Sequence, residues 1–367
     1  MPQSTFSAVL EAFFKLSIKR FEIPSICDED ALLEVEIVGV CGSDVGMYTG
    51  KAKRIETNLP IILGHEILGH ISEAGEKFCS RHKVERGDRV VVEFAFGCGY
   101  CEACLIGNYR LCEKKGRYGS SISCTKPPYL WGAYGYHLYL PPTAVVHRID
   151  SSIPAAAAVL APAVLGNGIR WLRQIGGVSI GDTVVIQGPG QQGLALVIAA
   201  KESGASTIIV IGLTKDGRRF EMAKLLGATH TIDCQKNNAI GFIKEITSGE
   251  MADIVVDVTG SPQGAISAVD MVRPGGTVIL PGTYGTDVHV PLCLDKVVLN
   301  EVRLQGVYTH DIRSVLPAIK LIESGKYPLE KLVTHRFALR EAERAIKTAG
   351  GMVDDDSAIK VVIDPRL

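Results

Sequence analysis

Four cysteines lie within one short stretch of the chain, and their thiols could bind a metal ion. Cys98, Cys101, Cys104 and Cys112 are separated by two, two and seven residues on a loop that also contains glycine. Four thiolates spaced in this way can enclose Zn²⁺ tetrahedrally, and such a closed site is structural because no substrate reaches the metal. Reduced free cysteines and an iron–sulfur cluster are the alternatives. A nucleic-acid-binding zinc module is disfavoured because two separated CxxC pairs are absent.

A second set of possible zinc ligands is spread along the chain. Cys41 follows a strand candidate in the run GVCGSD, and His65 and Glu66 are adjacent in the run GHE. Cysteine, histidine and glutamate can form an open zinc site whose fourth position takes water or substrate. An isolated cysteine or histidine is more often a packing residue, so the residues alone leave both interpretations open.

A glycine-rich turn lies between a strand candidate and an apolar helix candidate. The strand Thr183–Gly188 leads into the run GPGQQG, and the helix Gln192–Ser203 follows. In this context the glycines allow a tight turn, close approach of a pyrophosphate and close packing of helix on strand, while the helix N-terminus attracts phosphate. The candidate coenzyme-binding residues are Gly188, Gly190, Gln191, Gln192 and Gly193. An ordinary glycine turn is the alternative.

The end of the next strand candidate bears on the choice between NAD and NADP. An NAD enzyme usually has an acidic residue there for the ribose hydroxyls, whereas NADP needs cations for its additional phosphate. The chain has instead the run Gly212, Leu213, Thr214, Lys215, Asp216, followed by Arg218 and Arg219. The missing acid and the nearby cations favour NADP slightly, with Thr214, Lys215 and Arg219 as candidate ligands, and Asp216 could still serve NAD.

The elements around this turn predict a parallel sheet. Continuous apolar strand candidates alternate with helical segments such as Arg218–Leu226, which is typical of a doubly wound α/β domain. The candidates are Thr183–Gly188, Thr207–Leu213, Thr229–Asp233, Asp253–Thr259, Thr277–Pro281 and Arg303–Tyr308.

The two ends of the chain differ from this middle part. The first 150 residues contain short strand candidates (Leu32–Val40, Arg89–Phe94 and Tyr134–Leu140) among Gly- and Cys-rich loops, which predicts an irregular, mostly β domain. The tail has helix candidates at Ser314–Ser324 and Arg340–Ala349, strand candidates at Thr334–Phe337 and Ala358–Ile363, and an acidic loop at Asp354–Asp356. Such a tail could return to complete the first domain.

Composition excludes several classes of protein. The 367 residues carry a net charge of −1, with 46% apolar and 22% charged residues. This balance gives no sign of a nucleic-acid or membrane partner. The uncharged stretch Ile153–Ile169 is rich in proline and glycine and is not expected to span a membrane. We expect a cytoplasmic protein.

Taken together, the motifs resemble the zinc-containing medium-chain dehydrogenase/reductase family, which includes alcohol, sorbitol and threonine dehydrogenases. GHE-x2-G-x5-G, GDRVVVE, the four-cysteine lobe, GPGQQG and the ending VTHRFALREAERA stand in the order and spacing of that family. The resemblance implies an α/β protein with a GroES-like, mostly β catalytic domain (residues 1–155 and 310–367) and a Rossmann NAD(P)-binding domain (residues 156–309).

The family's site residues transfer to matching positions only. Cys41 and His65 match the catalytic zinc ligands, Asp44 a carboxylate that orients the zinc-bound imidazole, and Ser43 the hydroxyl that carries the substrate proton outward. The resemblance also implies one catalytic and one structural zinc, with the latter bound by the four-cysteine lobe.

The third catalytic ligand departs from the family pattern. Between Asp150 and Asp182 the chain has no Cys, His, Asp or Glu, so Glu66 is the remaining candidate, as in the sorbitol dehydrogenase branch. That branch also has a glutamate before proline where this chain has Ala161, and often a relay histidine where it has Gly46. Both departures argue against a typical polyol substrate.

The resemblance predicts a hydride transfer between an alcohol (secondary alcohol, diol or cyclic alcohol) and NAD(P), or reduction of the matching ketone or aldehyde, in a homodimer or homotetramer. A zinc-independent quinone or enoyl reductase of the same fold is one alternative. A non-catalytic NAD(P)-binding relative is the other.

Overall fold

Two groups of strands organise the chain, one mainly antiparallel and one parallel. The computed structural model describes residues 4–52, 58–285, 287–353 and 358–367. It divides into unit 1, Met1–Ala163 with Asp311–Leu367, and unit 2, Val164–His310. The acidic loop predicted at 354–356 lies outside the described residues.

The described residues contain the following elements. The strands are β1 (Ser4–Ala12), β2 (Lys15–Glu22), β3 (Ala31–Val40), β4 (Ile61–Ile62), β5 (Glu66–Ala74), β6 (Arg89–Val92), β7 (Ala95–Phe96), β8 (Gly116–Arg117), β9 (His137–Leu140), β10 (Val146–Arg148), β11 (Thr183–Gln187), β12 (Thr207–Gly212), β13 (His230–Asp233), β14 (Ala252–Asp257), β15 (Val272–Leu280), β16 (Arg303–Gly306), β17 (Val333–Ala338) and β18 (Lys360–Asp364). The α-helices are α1 (Gly42–Tyr48), α2 (Glu76–His82), α3 (Glu102–Leu105), α4 (Ala155–Ala158), α5 (Gln191–Glu202), α6 (Gly217–Leu226), α7 (Ala239–Ile246), α8 (Pro262–Met271), α9 (Leu294–Leu299), α10 (Ile312–Glu323) and α11 (Ala342–Ala349). Wide π-helical turns cover Ala161–Gly166 and Ile169–Ile175, and 3₁₀ turns cover Tyr109–Leu111, Thr214–Asp216, Leu329–Leu332 and Leu339–Glu341.

Unit 1 is built on a seven-stranded sheet in the order β10-β6-β5-β3-β18-β17, with β9 also paired to β3. Among the described strands of this sheet, β17 and β18 pair in parallel and the other pairs are antiparallel. β3 is central because its long apolar run can pair on both sides, and Leu33, Val38 and Ile67 of β3 and β5 are fully buried. β18 and β17 come from the tail, so the tail does return to this sheet, as predicted.

Unit 2 contains a six-stranded parallel sheet in the order β13-β12-β11-β14-β15-β16. The order reverses beside β11, as in a doubly wound nucleotide-binding fold. Val185 of β11 stands opposite Ile209 and Val255, and all three are fully buried. Strands covered on both faces explain the continuous apolar runs in the sequence. The predicted fold class is confirmed.

Some predicted bounds are wrong. The strand predicted over Tyr134–Leu140 begins only at His137, because the backbone of Tyr134 and Tyr136 instead bonds to Ala8 and Phe6 of β1. β15 begins at Val272, earlier than the Thr277 predicted from its apolar residues.

A long helical segment was not predicted at all. Pro162 and two glycines interrupt the apolar pattern of Ala155–Ile175, yet the segment stays helical through two wide π-helical turns, Ala161–Gly166 and Ile169–Ile175. By length and composition this is a candidate membrane span, but 89% of its most apolar window is buried inside the protein, which is typical of a core helix.

Candidate active site

The end of β3 and the start of β5 bring Cys41 and His65 together. Gly39 of β3 stands opposite Glu66 of β5 in antiparallel register. Cys41 follows β3 directly and His65 precedes β5. Because antiparallel strands run in opposite directions, the residue beyond the end of one lies beside the residue before the start of the other.

Cys41, His65 and Glu66 form a cluster with the composition of an open zinc site. One ligand atom from each residue lies within 4.8 Å of the others. His65 and Glu66 are buried, whereas Cys41 is half-buried. A thiolate, an imidazole and a carboxylate suit Zn²⁺, and three protein ligands leave the fourth position for water or substrate. The residues present therefore fit the metal.

The two ring nitrogens of His65 face different partners. Nδ1 lies 3.3 Å from Asp44 Oδ1, and Nε2 lies 3.1 Å from Ser43 Oγ. Asp44 is itself fixed, because its Oδ2 accepts hydrogen bonds from the Cys41 N–H (2.9 Å) and from the Tyr134 hydroxyl (3.1 Å). A carboxylate on the Nδ1 side directs Nε2 toward the cluster, which is how metal-binding histidines are usually oriented.

The charges of this pair are coupled. Burial alone would raise the pKa of Asp44, but the nearby His65 lowers it below its ordinary value. Burial would lower the pKa of His65, yet Asp44 and then Cys41 raise it well above its ordinary value. The Nδ1–Oδ1 approach is not aligned as a hydrogen bond. A protonated imidazole cannot bind metal, so a metal at Nε2 would have to displace a proton.

Lys360 is a part of this site that sequence reasoning missed. Its ammonium group on β18 donates to Glu66 Oε2 and, at 3.0 Å, to the carbonyl oxygen of Val40. Both charged side chains are fully buried. Gly39 makes room for them, since a Cβ there would overlap Glu66 Oε2 and come within 2.7 Å of the Lys360 Nζ. The available signal was a lysine at the start of an apolar strand.

The four lobe cysteines converge as their spacing predicts. One Sγ atom from each of Cys98, Cys101, Cys104 and Cys112 lies within 4.8 Å of the others. The N–H of Tyr100 is the main cause that lowers the pKa of Cys98 to about 6, whereas burial raises the pKa of Cys104 to about 12. Four thiols this close cannot all ionise without a cation, so the site fits a divalent metal that replaces their protons.

A buried network ties the lobe to the rest of unit 1. The Tyr109 hydroxyl donates to Glu93 Oε2 at 2.5 Å and accepts from the Ile312 N–H at 2.8 Å. His147 Nε2 lies 2.8 Å from Glu93 Oε1. Arg110 forms a buried ion pair with Asp311 at 3.0 Å. Glu93 ends the motif GDRVVVE, but the sequence assigned no role to it or to its partners, which are 16 to 203 residues apart.

The glycine-rich turn has the geometry of a phosphate-binding loop. Gly188 has a φ of +101°, which a larger residue rarely adopts. A Cβ at Gly193 would overlap the carbonyl oxygen of Gly188, so helix α5 packs closely on β11. Nothing lies within 4 Å of the Cβ position at Gly190. Helix α5 begins at Gln191, directly after this turn, and a helix N-terminus favours phosphate.

The remaining predicted coenzyme ligands lie after β12. The Thr214 N–H donates to Gln235 (2.9 Å) and its hydroxyl to Asp233 Oδ2 (2.8 Å). Lys215 is exposed. Arg219 Nη1 forms an ion pair with Asp216 Oδ1 at 2.8 Å. Gln192 of the turn accepts a hydrogen bond from Asn167 at 3.3 Å.

Comparison with known proteins identifies the family. Residues 27–151 match the alcohol dehydrogenase GroES-like domain, and residues 193–324 match the zinc-binding dehydrogenase domain. Over 97% of both chains, the sequence is 36% identical to the "Probable alcohol dehydrogenase adh" of Mycobacterium tuberculosis. The chain belongs to the zinc-containing medium-chain dehydrogenase family. Sorbitol dehydrogenase of Bacillus subtilis, another member, is 31% identical over all of this chain and 99% of its own.

Solved structures of related dehydrogenases have the same fold. An alcohol dehydrogenase from Thermotoga maritima has a TM-score of 0.88 at 29% identity and covers 99% of each chain. The alcohol dehydrogenase of Thermus sp. ATN1 has a TM-score of 0.83 at 28% identity, covering 98% of this chain and 99% of its own. This medium-chain dehydrogenase is therefore a zinc-type oxidoreductase that uses a nicotinamide dinucleotide, which goes against the zinc-independent and non-catalytic alternatives.

Proposed function

We propose that this dehydrogenase oxidises a secondary alcohol, a diol or a cyclic alcohol with NAD or NADP, and reduces the matching ketone or aldehyde. The observation that carries the proposal is the cluster of Cys41, His65 and Glu66, whose ligand atoms lie within 4.8 Å of one another. Zinc, when bound there, supplies Lewis-acid chemistry that polarises the substrate oxygen and lowers its pKa.

Glu66 is the third protein ligand in this proposal. The run Leu160–Ala163 offers no carboxylate, whereas Glu66 is fully buried beside His65. Lys360 balances part of its charge and fixes one oxygen, which positions the carboxylate without any need for a second acid.

Ser43 moves the proton. Its side chain is exposed, and its Oγ lies beside His65 Nε2, at the mouth of the cluster. The hydroxyl can accept the proton of the substrate alcohol and pass it directly to water, since Gly46 stands where a relay histidine is often found. Asp44 acts on His65 through its charge, 3.3 Å from Nδ1, and is a positioning residue.

The substrate is less polar than a sugar alcohol. Ala161 and Gly46 replace the two polar side chains that the sorbitol dehydrogenase branch offers, so fewer hydroxyl groups would find partners. Names such as alcohol dehydrogenase among the relatives agree with this class, although a sorbitol dehydrogenase is also similar.

The other residues would have the roles that the sequence motifs and the family resemblance imply. Cys98, Cys101, Cys104 and Cys112 would hold the structural zinc. The turn from Gly188 to Gly193, with Thr214, Lys215 and Arg219, would bind the dinucleotide. The functional domains would be residues 1–155 with 310–367 and residues 156–309.

The protein would act in the cytoplasm as a homodimer or homotetramer. Helix α9 favours association, because Leu294, Val298 and Leu299 are 64%, 69% and 81% exposed. Light scattering of the purified protein would test this, and a monomer at micromolar concentration would contradict it.

The decisive experiment is a screen of secondary alcohols, diols, cyclic alcohols and polyols with both coenzymes. We expect turnover of at least one alcohol with few hydroxyls. His65→Gln should abolish turnover while NAD(P)H binding is retained, and Ser43→Ala should lower kcat by about 10²- to 10⁴-fold. The proposal would be wrong if His65→Gln kept normal activity, or if only polyols reacted.

A further inference from the structure

The coenzyme-facing end of β12 has no side chain of its own. β12 pairs with β11, the strand that leads into the glycine-rich turn, and it ends at Gly212. A Cβ at Gly212 would lie 2.8 Å from Cγ of Pro189, a residue of that turn. A side chain at this position would therefore point toward the turn that receives the dinucleotide, and glycine is needed there because Pro189, Phe220 and Asp216 already fill the space.

A carboxylate from four residues further on stands in that position. Oδ2 of Asp216 lies 3.0 Å from the place where a Cβ of residue 212 would be. The carboxylate oxygen therefore lies beside the path that a side chain of residue 212 would take. The carboxylate is buried and fixed, because Oδ2 accepts from the Leu213 N–H (2.9 Å) and Oδ1 from Arg219 Nη1 (2.8 Å).

We propose that Asp216 takes the place of the missing strand-end acid, receives the hydroxyls of the adenosine ribose, and makes NAD the preferred coenzyme. The inference rests on the proposed dehydrogenase function and names the coenzyme of the same site. A fixed carboxylate has lone pairs for ribose hydroxyl donors. The 2′-phosphate of NADP would instead bring a second anion against it.

The neighbouring charges agree with this assignment. A guanidinium nitrogen of Arg219 forms an ion pair with Asp216. Asp233 stands opposite Gly212 at the end of the adjacent strand and accepts the Thr214 hydroxyl, which adds a second carboxylate at the same edge. Lys215 and Arg218 are exposed to solvent. The contacts of Asp216 with Arg219 and of Asp233 with Thr214 oppose the slight preference for NADP that the sequence alone suggests.

The test is a titration of the purified protein with NADH and with NADPH in the absence of substrate, in which coenzyme fluorescence reports binding. We expect NADH to bind more tightly than NADPH by about 10-fold or more. Asp216→Asn keeps an acceptor for the Leu213 N–H but removes the charge. The substitution should weaken the binding of NADH by about 10-fold and leave the binding of NADPH unchanged or make it tighter, so that the preference for NADH is lost.

Asp233→Asn is the matched control, since it removes a carboxylate from the same sheet edge without touching the Asp216 position. It should change the NADH/NADPH ratio far less than Asp216→Asn. Equal shifts in the two variants would overturn the assignment, because they would show a general effect of charge. Tighter binding of NADPH by the unchanged protein would also overturn it, and that result does not depend on any variant folding. Binding of neither coenzyme would overturn the proposed function as well.

Discussion

Among single residues, Glu66 and Lys360 form a buried ion pair inside the proposed zinc site. Both side chains are fully buried, so each charge depends on the other or on a metal for compensation. Zinc and Lys360 would share the negative charge of Glu66. The contribution of Lys360 to stability should therefore be largest when zinc is absent.

We predict that Lys360→Met destabilises the zinc-free protein by about 3–5 kcal/mol, because it leaves a buried carboxylate without a partner. The loss should be smaller in the zinc-loaded protein, where the metal compensates the charge. Calorimetric melting temperatures of both forms measure this. The double variant Glu66→Gln/Lys360→Met is the control and should recover most of the stability. An equal loss with and without zinc would show that Glu66 is not a ligand.

At the scale of elements, the 3₁₀ turn Tyr109–Leu111 links the cysteine lobe to its surroundings. The Tyr109 hydroxyl donates a hydrogen bond to Glu93 and accepts one from the N–H of Ile312, the first residue of α10. Burial raises the pKa of Glu93, with the bonds from His147 and Tyr109 opposing the rise. A group with a raised pKa in the folded state stabilises the protein fully at acid pH and loses that contribution as the pH rises through the folded value.

We predict that Tyr109→Phe lowers stability by about 1–3 kcal/mol, since Glu93 and the Ile312 N–H lose a buried partner. The loss should be greater at pH 8 than at pH 5, because an ionised Glu93 needs the donor more than a protonated one. Melting temperatures at the two pH values measure this loss of stability. Tyr118→Phe is a matched control, as the Tyr118 hydroxyl is buried with no hydrogen-bond partner among the described residues. Similar losses in both variants would contradict the role of Tyr109.

For the molecule as a whole, we expect loss of one zinc site to lower activity and loss of the other to lower stability. The catalytic cluster joins residues already fixed by the β3–β5 pairing, whereas the lobe is a loop that contains only short helical turns. Folding of the lobe should therefore depend on its metal.

We predict that Cys41→Ser and Cys112→Ser each lower the zinc content by about one ion per chain. Cys112→Ser should lower the melting temperature, while Cys41→Ser should abolish turnover with little change in melting temperature and with NADH binding retained. Metal analysis, calorimetry and coenzyme titration of the two variants provide the comparison. An unchanged melting temperature in Cys112→Ser would argue against a structural role for the lobe.

Features that depend on a local pattern of residues can be predicted from the sequence. Continuous apolar runs indicated the parallel sheet, because strands buried on both faces have no polar side. The spacing of Cys98 to Cys112 indicated a shared site, since four thiolates spaced in this way can enclose Zn²⁺ tetrahedrally. The run GPGQQG between strand and helix indicated the coenzyme turn.

Contacts between residues far apart in the sequence become visible in the folded chain. Lys360 reaches Glu66 across 294 residues, and nothing near either residue signals the other. Cys41 and His65 meet because of the antiparallel register of β3 and β5. Asp216 stands over Gly212 because a 3₁₀ turn folds it back, whereas the linear sequence showed only a missing acid and nearby cations. Local patterns fix elements and short loops, but the position of a charge in a site is set by chain segments that pack from elsewhere.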